Sequence, residues 1–199
     1  MFDGVLDFSK GINLVYGGPA TGKTTIAMQL SNETAMDKRI VFIDTENGFS
    51  LERFKQIAGD ECMKRLEKIF LLRISDFFEQ HKAIENLSRI KNLGLIVVDT
   101  LGMHYRTNVR EDSGAANRML DKQFKALQEL TRKHIPVLIT TQVYADMENN
   151  GVKVLGGEMV KNWAGVIVRL EREPRKLVIE KPFRKERRFE INDKGIILM

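Results

Sequence analysis

The sequence lacks the features that mark several large protein classes. It has one cysteine, Cys62, so no internal disulfide can form; a disulfide-stapled secreted scaffold is excluded and a reducing cytoplasm fits. No uncharged run approaches the roughly 20 residues of a membrane-spanning helix. The N-terminus carries Asp3 and Asp7 where a secretion signal needs a basic start and an apolar stretch. The expectation is a soluble, untargeted, cytoplasmic protein with no membrane partner. Linkers rich in Pro, Gly or Ser are missing, as are low-complexity segments and internal repeats, so one domain over residues 1–199 is expected. What is present is 43% hydrophobic and 30% charged residues, enough to bury a core and to exclude wholesale disorder.

The net charge of +5 is unevenly spread. Residues 169–188 hold 9 basic and 4 acidic residues, while the 168 residues before them are nearly balanced. Such asymmetry points to a polyanionic partner; the bland alternative is a solvated strand surface.

Short apolar runs of strand length recur at Ile12–Tyr16, Ile40–Ile43, Ile69–Leu72, Leu95–Val98 and Val137–Thr141. Helical patterns at Thr24–Glu33, Leu51–Ala58, Asp76–Lys91 and Gly114–His134 lie between them. Alternating strands and helices predict an α/β fold with a mostly parallel sheet and helices on both faces. Beyond Asn162 the segments Gly165–Glu171, Arg175–Glu180 and Arg187–Ile191 alternate apolar with charged residues, which predicts an antiparallel portion with one wet face that carries the basic stretch.

The run Gly17-Gly18-Pro19-Ala20-Thr21-Gly22-Lys23-Thr24 has the glycine and lysine spacing of a phosphate-binding loop. It follows a strand and opens a helix, so backbone amides and the helix N-terminus converge on phosphate oxygens. Lys23 is placed to reach the β and γ phosphates, and the Thr24 hydroxyl to bind magnesium. Asp99 ends the run Leu95–Val98 and is the candidate carboxylate that holds the metal through water. Glu46, in Asp44-Thr45-Glu46 after the strand Ile40–Ile43, is the candidate for polarising an attacking water. Gln142, after Val137–Thr141, is placed to contact the γ phosphate or that water and to report its loss to the next loop.

Together these residues resemble the ATPase core of the RecA superfamily and its archaeal RadA-like branch. The segments that carry the likeness are Gly17–Thr25, Ile43–Arg53, Leu95–Leu101 and Ile139–Val143. Leu155–Glu171, with its Gly-Gly, Trp and Arg-Leu-Glu, is most similar to the RadB group, the short paralogues of that branch. The resemblance implies a P-loop NTPase of RecA type using ATP and Mg2+, with Gly17 to Thr25 around the phosphates, Asp99 at the metal, Glu46 as water activator and Gln142 as γ phosphate sensor. It also implies that Arg53 stacks on adenine, a contact that joins stacking to cation–π attraction.

Recombinases of this type bind DNA through two loops. By resemblance the first spans Met103–Arg118, with Arg106, Arg110 and Arg118, and the second spans Tyr144–Gly157. The second holds Asp146 and Glu148 against Lys153 alone, so it is not a strong polyanion site. Arg184, Lys185, Arg187 and Arg188 in the basic stretch are further candidates. The short N-terminal stretch leaves no place for RadA's helical DNA-binding domain or for a polymerisation linker, so a RadA-like filament is not expected. The implied role is that of an accessory protein of homologous recombination and DNA repair, which binds ATP and DNA, single-stranded by the resemblance, turns over ATP slowly and modulates a RadA-type recombinase. The same motifs also suit a KaiC-like regulatory ATPase acting on proteins, or a nucleotide-gated interaction module; oligomeric state stays open.

Overall fold

A computed structural model of the protein describes residues 6–146 and 151–199. The first part of the N-terminal stretch read above, and Glu148 with its neighbours in the expected second loop, lie outside the described residues. The strands are β1 (Ile12–Gly17), β2 (Arg39–Asp44), β3 (Ile69–Arg73), β4 (Leu93–Asp99), β5 (Val137–Thr141), β6 (Val143–Asp146), β7 (Gly151–Val154), β8 (Val166–Arg172), β9 (Arg175–Lys181), β10 (Lys185–Asn192) and β11 (Gly195–Leu198). The helices are α1 (Lys23–Thr34), α2 (Leu51–Ala58), α3 (Cys62–Leu66), α4 (Phe77–Asn86), α5 (Gly102–Glu111), α6 (Ser113–Arg132) and α7 (Gly157–Trp163).

Nine strands form one sheet in the order β11-β10-β9-β8-β1-β5-β4-β2-β3, and β6 and β7 form a separate hairpin. The strands from β8 through β3 run parallel, whereas β9, β10 and β11 pair antiparallel in succession onto β8. The expected α/β architecture, with its antiparallel C-terminal portion, is what forms. Both faces of the parallel part are covered. Leu14, Ile96 and Ile139 pack on one side with Leu120 and Phe124 of α6. Val15, Phe42 and Val97 pack on the other with Ile26 of α1 and Phe54 of α2. Neighbours in sequence thus face opposite cores, which is why these strands read as continuous apolar runs.

Local chemistry sets the helix boundaries. Asp76 Oδ1 accepts from Glu79 N (2.8 Å) while Glu79 Oε2 accepts from Ser75 N (2.8 Å), a reciprocal box that starts α4. Ser50 Oγ caps α2 by accepting from Arg53 N (3.2 Å). The inward stripe of α6, Ala116, Leu120, Gln123, Phe124, Leu127 and Leu130, follows helical spacing. The pattern expected to run from Asp76 to Lys91 is α-helical only as far as Asn86 and closes in a 3-10 turn at Leu87–Arg89.

Two expectations need correction. Most of Met103–Arg118 is helix and not loop, as α5 and the first turns of α6. Tyr105 buries its ring 5.8 Å from that of Phe77, and Asp112 separates the helices by capping α6 at Ala115 N (2.9 Å). The basic stretch also does not lie on a single wet face. Arg169, Lys176 and Arg188 share a face with Glu171 and Glu186, but Arg187 pairs across from Leu177 and Lys185 across from Ile179, on the side of the α1 core. Leu177, Val178 and Ile179 are buried in succession, so β9 is covered on both faces at its middle.

Candidate nucleotide site

The chemistry-bearing residues stand at the carboxyl ends of β1, β5, β4 and β2, four adjacent strands. Open α/β sheets bind ligands at that edge. β1 runs into the glycine loop, β2 into Asp44-Thr45-Glu46, β4 ends at Asp99, and Gln142 follows β5. The strand bearing Asp99 is firmly held: Ile96, Val97 and Val98 are all fully buried, each worth at most about 1.5–3 kcal/mol.

The loop conformation explains Gly17 and Gly22. Gly22 has φ +104°, and a Cβ there would meet Ile191 and Ile196 side-chain carbons at 2.9 Å. At Gly17 a Cβ would lie 2.5 Å from the Leu170 carbonyl oxygen. Thr21 Oγ1 donates to Gly18 O (2.9 Å) and braces the loop. Lys23 is buried, and its Nζ donates to Gly17 O (3.0 Å) and Gly18 O (2.7 Å). Burial lowers its pKa, while the carboxylates of Asp99 and Glu46 pull it back up.

Thr24 Oγ1 donates to Asp99 Oδ2 at 2.8 Å, and Thr140 Oγ1 donates to Asp99 Oδ1. Burial raises the Asp99 pKa against the pull of these two hydroxyls, and the charges of Asp44 and Glu46 raise it further. Glu46 accepts from Gln142 Nε2 on both oxygens (2.9 and 3.1 Å) and from Thr100 Oγ1 (2.8 Å). Asp44 fixes the turn itself by accepting from Gly48 N and Phe49 N, each at 3.0 Å. A cavity of about 310 Å³ is lined by Pro19, Ala20, Gly22, Lys23, Thr24 and Thr25 on one side and by Glu46, Thr100, Gln142 and Ile191 on the other. The loop, its lysine, the Thr24 hydroxyl and the Glu46 carboxylate therefore share a single concavity, with Asp99 behind Thr24.

A family model described as Rad51 matches residues 2–197. The chain belongs to the Rad51 family. Its relatives include proteins named DNA repair and recombination protein RadB. That of Thermococcus sibiricus is 39% identical over 94% of this chain and 86% of its own length. That of Methanococcus maripaludis strain C7 is 37% identical over 86% and 82%, and that of Methanocaldococcus jannaschii is 35% identical over 94% and 93%. A solved structure described as the RadB recombinase superposes with a TM-score of 0.80 at 32% identity, covering 94% of this chain and 89% of that one. The RecA-like fold and the RadB likeness read from the motifs both stand.

Within this Rad51-family frame the remaining sequence candidates separate. Arg53, on α2, donates to Asn192 O (2.6 Å) and Gln56 Oε1 (2.8 Å), which ties α2 to the β10–β11 turn. Arg106 and Arg110, one turn apart on α5, line a second cavity of about 330 Å³ together with Tyr144, Leu155 and the backs of Glu46 and Gln142. Arg118 is exposed on α6 and does not line it, and Lys153 lies on β7 across from Tyr144. Arg184, Lys185, Arg187 and Arg188 lie on β10 or just before it, outside both cavities. Carboxylates pair with part of the basic stretch. Arg169 pairs with Glu171 and with Glu180 (3.3 Å), and Lys176 pairs with Glu171 (3.4 Å) and Glu186 (3.0 Å).

Sequence reasoning did not single out Thr45, Thr100, Thr140, Arg175 or Ile191. Thr140 carried a signal, since a hydroxyl in the middle of a wholly buried strand needs a partner. Arg175 sits at the loop's rim, with Nη1 3.4 Å from Ala20 O. It becomes visible only when the β8–β9 turn folds back to the loop.

Proposed function

We propose that the chain is a RadB-like, ATP-binding accessory protein of homologous recombination and DNA repair, built as a single RecA-like ATPase core, that hydrolyses ATP slowly with Mg2+ and binds DNA. The observation that carries this reading is the convergence of Lys23, Thr24 and the Glu46–Gln142 pair on one cavity at the sheet edge, with Asp99 bonded to Thr24 just behind it. Family membership supports the ATPase chemistry, and the relatives' names support the process.

The residues fit a magnesium nucleotide. Among the described residues no group of three or more His, Cys, Asp or Glu forms a cage for an ion. One hydroxyl beside one buried carboxylate is the protein's share in sites where phosphates and waters complete the shell. Thr24 and Asp99 would hold the ion, which when bound neutralises charge on the β and γ phosphates. Lys23 would exchange its bonds to the Gly17 and Gly18 carbonyls for phosphate oxygens. Glu46 would orient a water in line with the γ phosphorus, and Gln142 would turn from Glu46 to a γ phosphate oxygen.

DNA, single-stranded in this reading, would meet Arg106 and Arg110 beside Tyr144, where guanidinium and ring suit phosphates and splayed bases. A RadA-type recombinase is the proposed protein partner and the cytoplasm the proposed location; among the described residues no helix is long and apolar enough to cross a membrane.

Two variants test the chemistry. Lys23→Ala is expected to abolish nucleotide binding in an equilibrium titration with MgATP. Glu46→Gln is expected to bind MgATP as wild type does while turnover falls by about 10²-fold or more. Equal turnover in wild type and Glu46→Gln would refute the assignment.

A further inference from the structure

We propose that Thr100 is a positioning residue that aims the Glu46 carboxylate at the attacking water, and that Gln142 is the exchangeable half of the same grip. The inference rests on the ATPase reading above and deepens it.

Glu46 is exposed and sits just past the end of β2, on a side chain with three rotatable bonds. Left alone, it would sample many orientations. Two side chains restrain it, and they differ in kind. Gln142 spends its amide nitrogen on both carboxylate oxygens (2.9 and 3.1 Å) from a partly open position between the two cavities. Thr100 donates only to Oε1, at 2.8 Å, from a buried position.

Thr100 is itself held without any help from Glu46. Its backbone N donates to Thr45 Oγ1 (3.0 Å), and Thr45 Oγ1 donates back to the Thr100 carbonyl (2.8 Å). Thr45 N donates to the Asp99 carbonyl (2.9 Å), extending the β2–β4 ladder beyond its last register pair, Asp44 with Asp99. Thr45 and Thr100 are both buried. The place of the Thr100 hydroxyl is thus fixed by the same strand pairing that fixes Asp99. Through one hydrogen bond it gives the exposed Glu46 the precision of the sheet.

The asymmetry has a chemical use. A γ phosphate oxygen that captures the Gln142 amide strips Oε2 of its donor while Oε1 stays bound to Thr100. Oε2 is then free to accept. As the water oxygen bonds to the γ phosphorus, its proton passes to Oε2, and the bond from that phosphorus to the bridging oxygen breaks, giving ADP and inorganic phosphate. Glu46 afterwards returns the proton to solvent. While Gln142 is bound to Glu46, its amide stands against both oxygens and competes with a water for Oε2.

Steady-state MgATP turnover of wild type, Thr100→Val, Thr100→Ser and Glu46→Gln tests this, alongside equilibrium MgATP binding and thermal melts. Thr100→Val is expected to lower kcat by about 10-fold or more, with KM and MgATP affinity within about 2-fold of wild type. Thr100→Ser, which restores the hydroxyl, is expected to recover at least about half of the lost rate. Should Thr100→Val fail to fold, Thr100→Ala must show the same split. Wild-type turnover in a folded Thr100→Val or Thr100→Ala, with Glu46→Gln inactive, overturns the proposal and leaves the ATPase reading intact. So does a folded Thr100→Ser as slow as the valine variant. Wild type without turnover, or Glu46→Gln as active as wild type, overturns both.

Discussion

Asp99 bears the sharpest conflict of any single residue. It is 2% exposed, has Asp44 and Glu46 as like charges nearby, and is compensated by the Thr24 and Thr140 hydroxyls and by the nearby Lys23 ammonium. Because burial raises its pKa in the fold, its ionised form is disfavoured relative to the unfolded chain; above the unfolded carboxylate range the charge therefore costs stability. Asp99→Asn removes the charge and keeps the shape. The nucleotide-free variant is expected to be more stable near neutral pH, with a higher Tm than wild type. The same change is expected to abolish magnesium-dependent turnover. Calorimetry of both proteins without nucleotide checks the first part, and an unchanged or lower Tm counts against it. Lys23 carries the opposite sign in the same pocket, and the two buried charges partly offset one another.

Among the elements, the β10–β11 hairpin does the least expected thing. β10 pairs with β9 through Lys185–Arg188 and with β11 through Phe189–Asn192, so the hairpin leaves the sheet direction and reaches α1. There Gln29 grips the edge strand at both backbone groups of Ile196: Oε1 accepts from N (2.7 Å) and Nε2 donates to O (3.2 Å). Ile191 thereby becomes a wall of the nucleotide cavity. Gln29→Ala is expected to lower global stability by about 1–2 kcal/mol and to raise amide exchange through residues 189–198 more than in β1 or β4. Uniform exchange across the sheet would contradict this. The strand runs of the parallel core, and the loop between β1 and α1, were legible because both-face burial and phosphate chemistry leave local signatures. The hairpin was not, since charged alternation identifies a wet strand but not the helix it bends toward. The helical nature of α5 was hidden by analogy, where its own run of residues without proline or an internal glycine argues for helix. Thr45 and Thr100 were silent for a related reason: a hydroxyl's role depends on a neighbour that only strand order supplies.

For the whole molecule, the +5 charge reads differently once its geometry is known. Arg169 and Lys176 are committed to carboxylates, so they have little to give a phosphate without breaking an existing pair. If single-stranded DNA binds along α5, replacing Arg106 and Arg110 with alanine is expected to reduce the slope of log K against log salt by about 1.4. Replacing Arg169 and Lys176 is expected to leave that slope unchanged. Titrations at several salt concentrations decide it, and the reverse pattern would move the binding face to the C-terminal strands.

The position of β1 also constrains the order in which the molecule is made. The strand that carries the phosphate loop precedes both of its sheet neighbours, which begin at Val137 and Val166. Both pairings span more than a hundred residues, and such distant closures are slow to form. During synthesis the loop sequence precedes its flanking strands, which are complete only once β5 and then β8 have followed. On the proposed reading, the nucleotide site therefore waits for β8, the later of the two strands that flank β1.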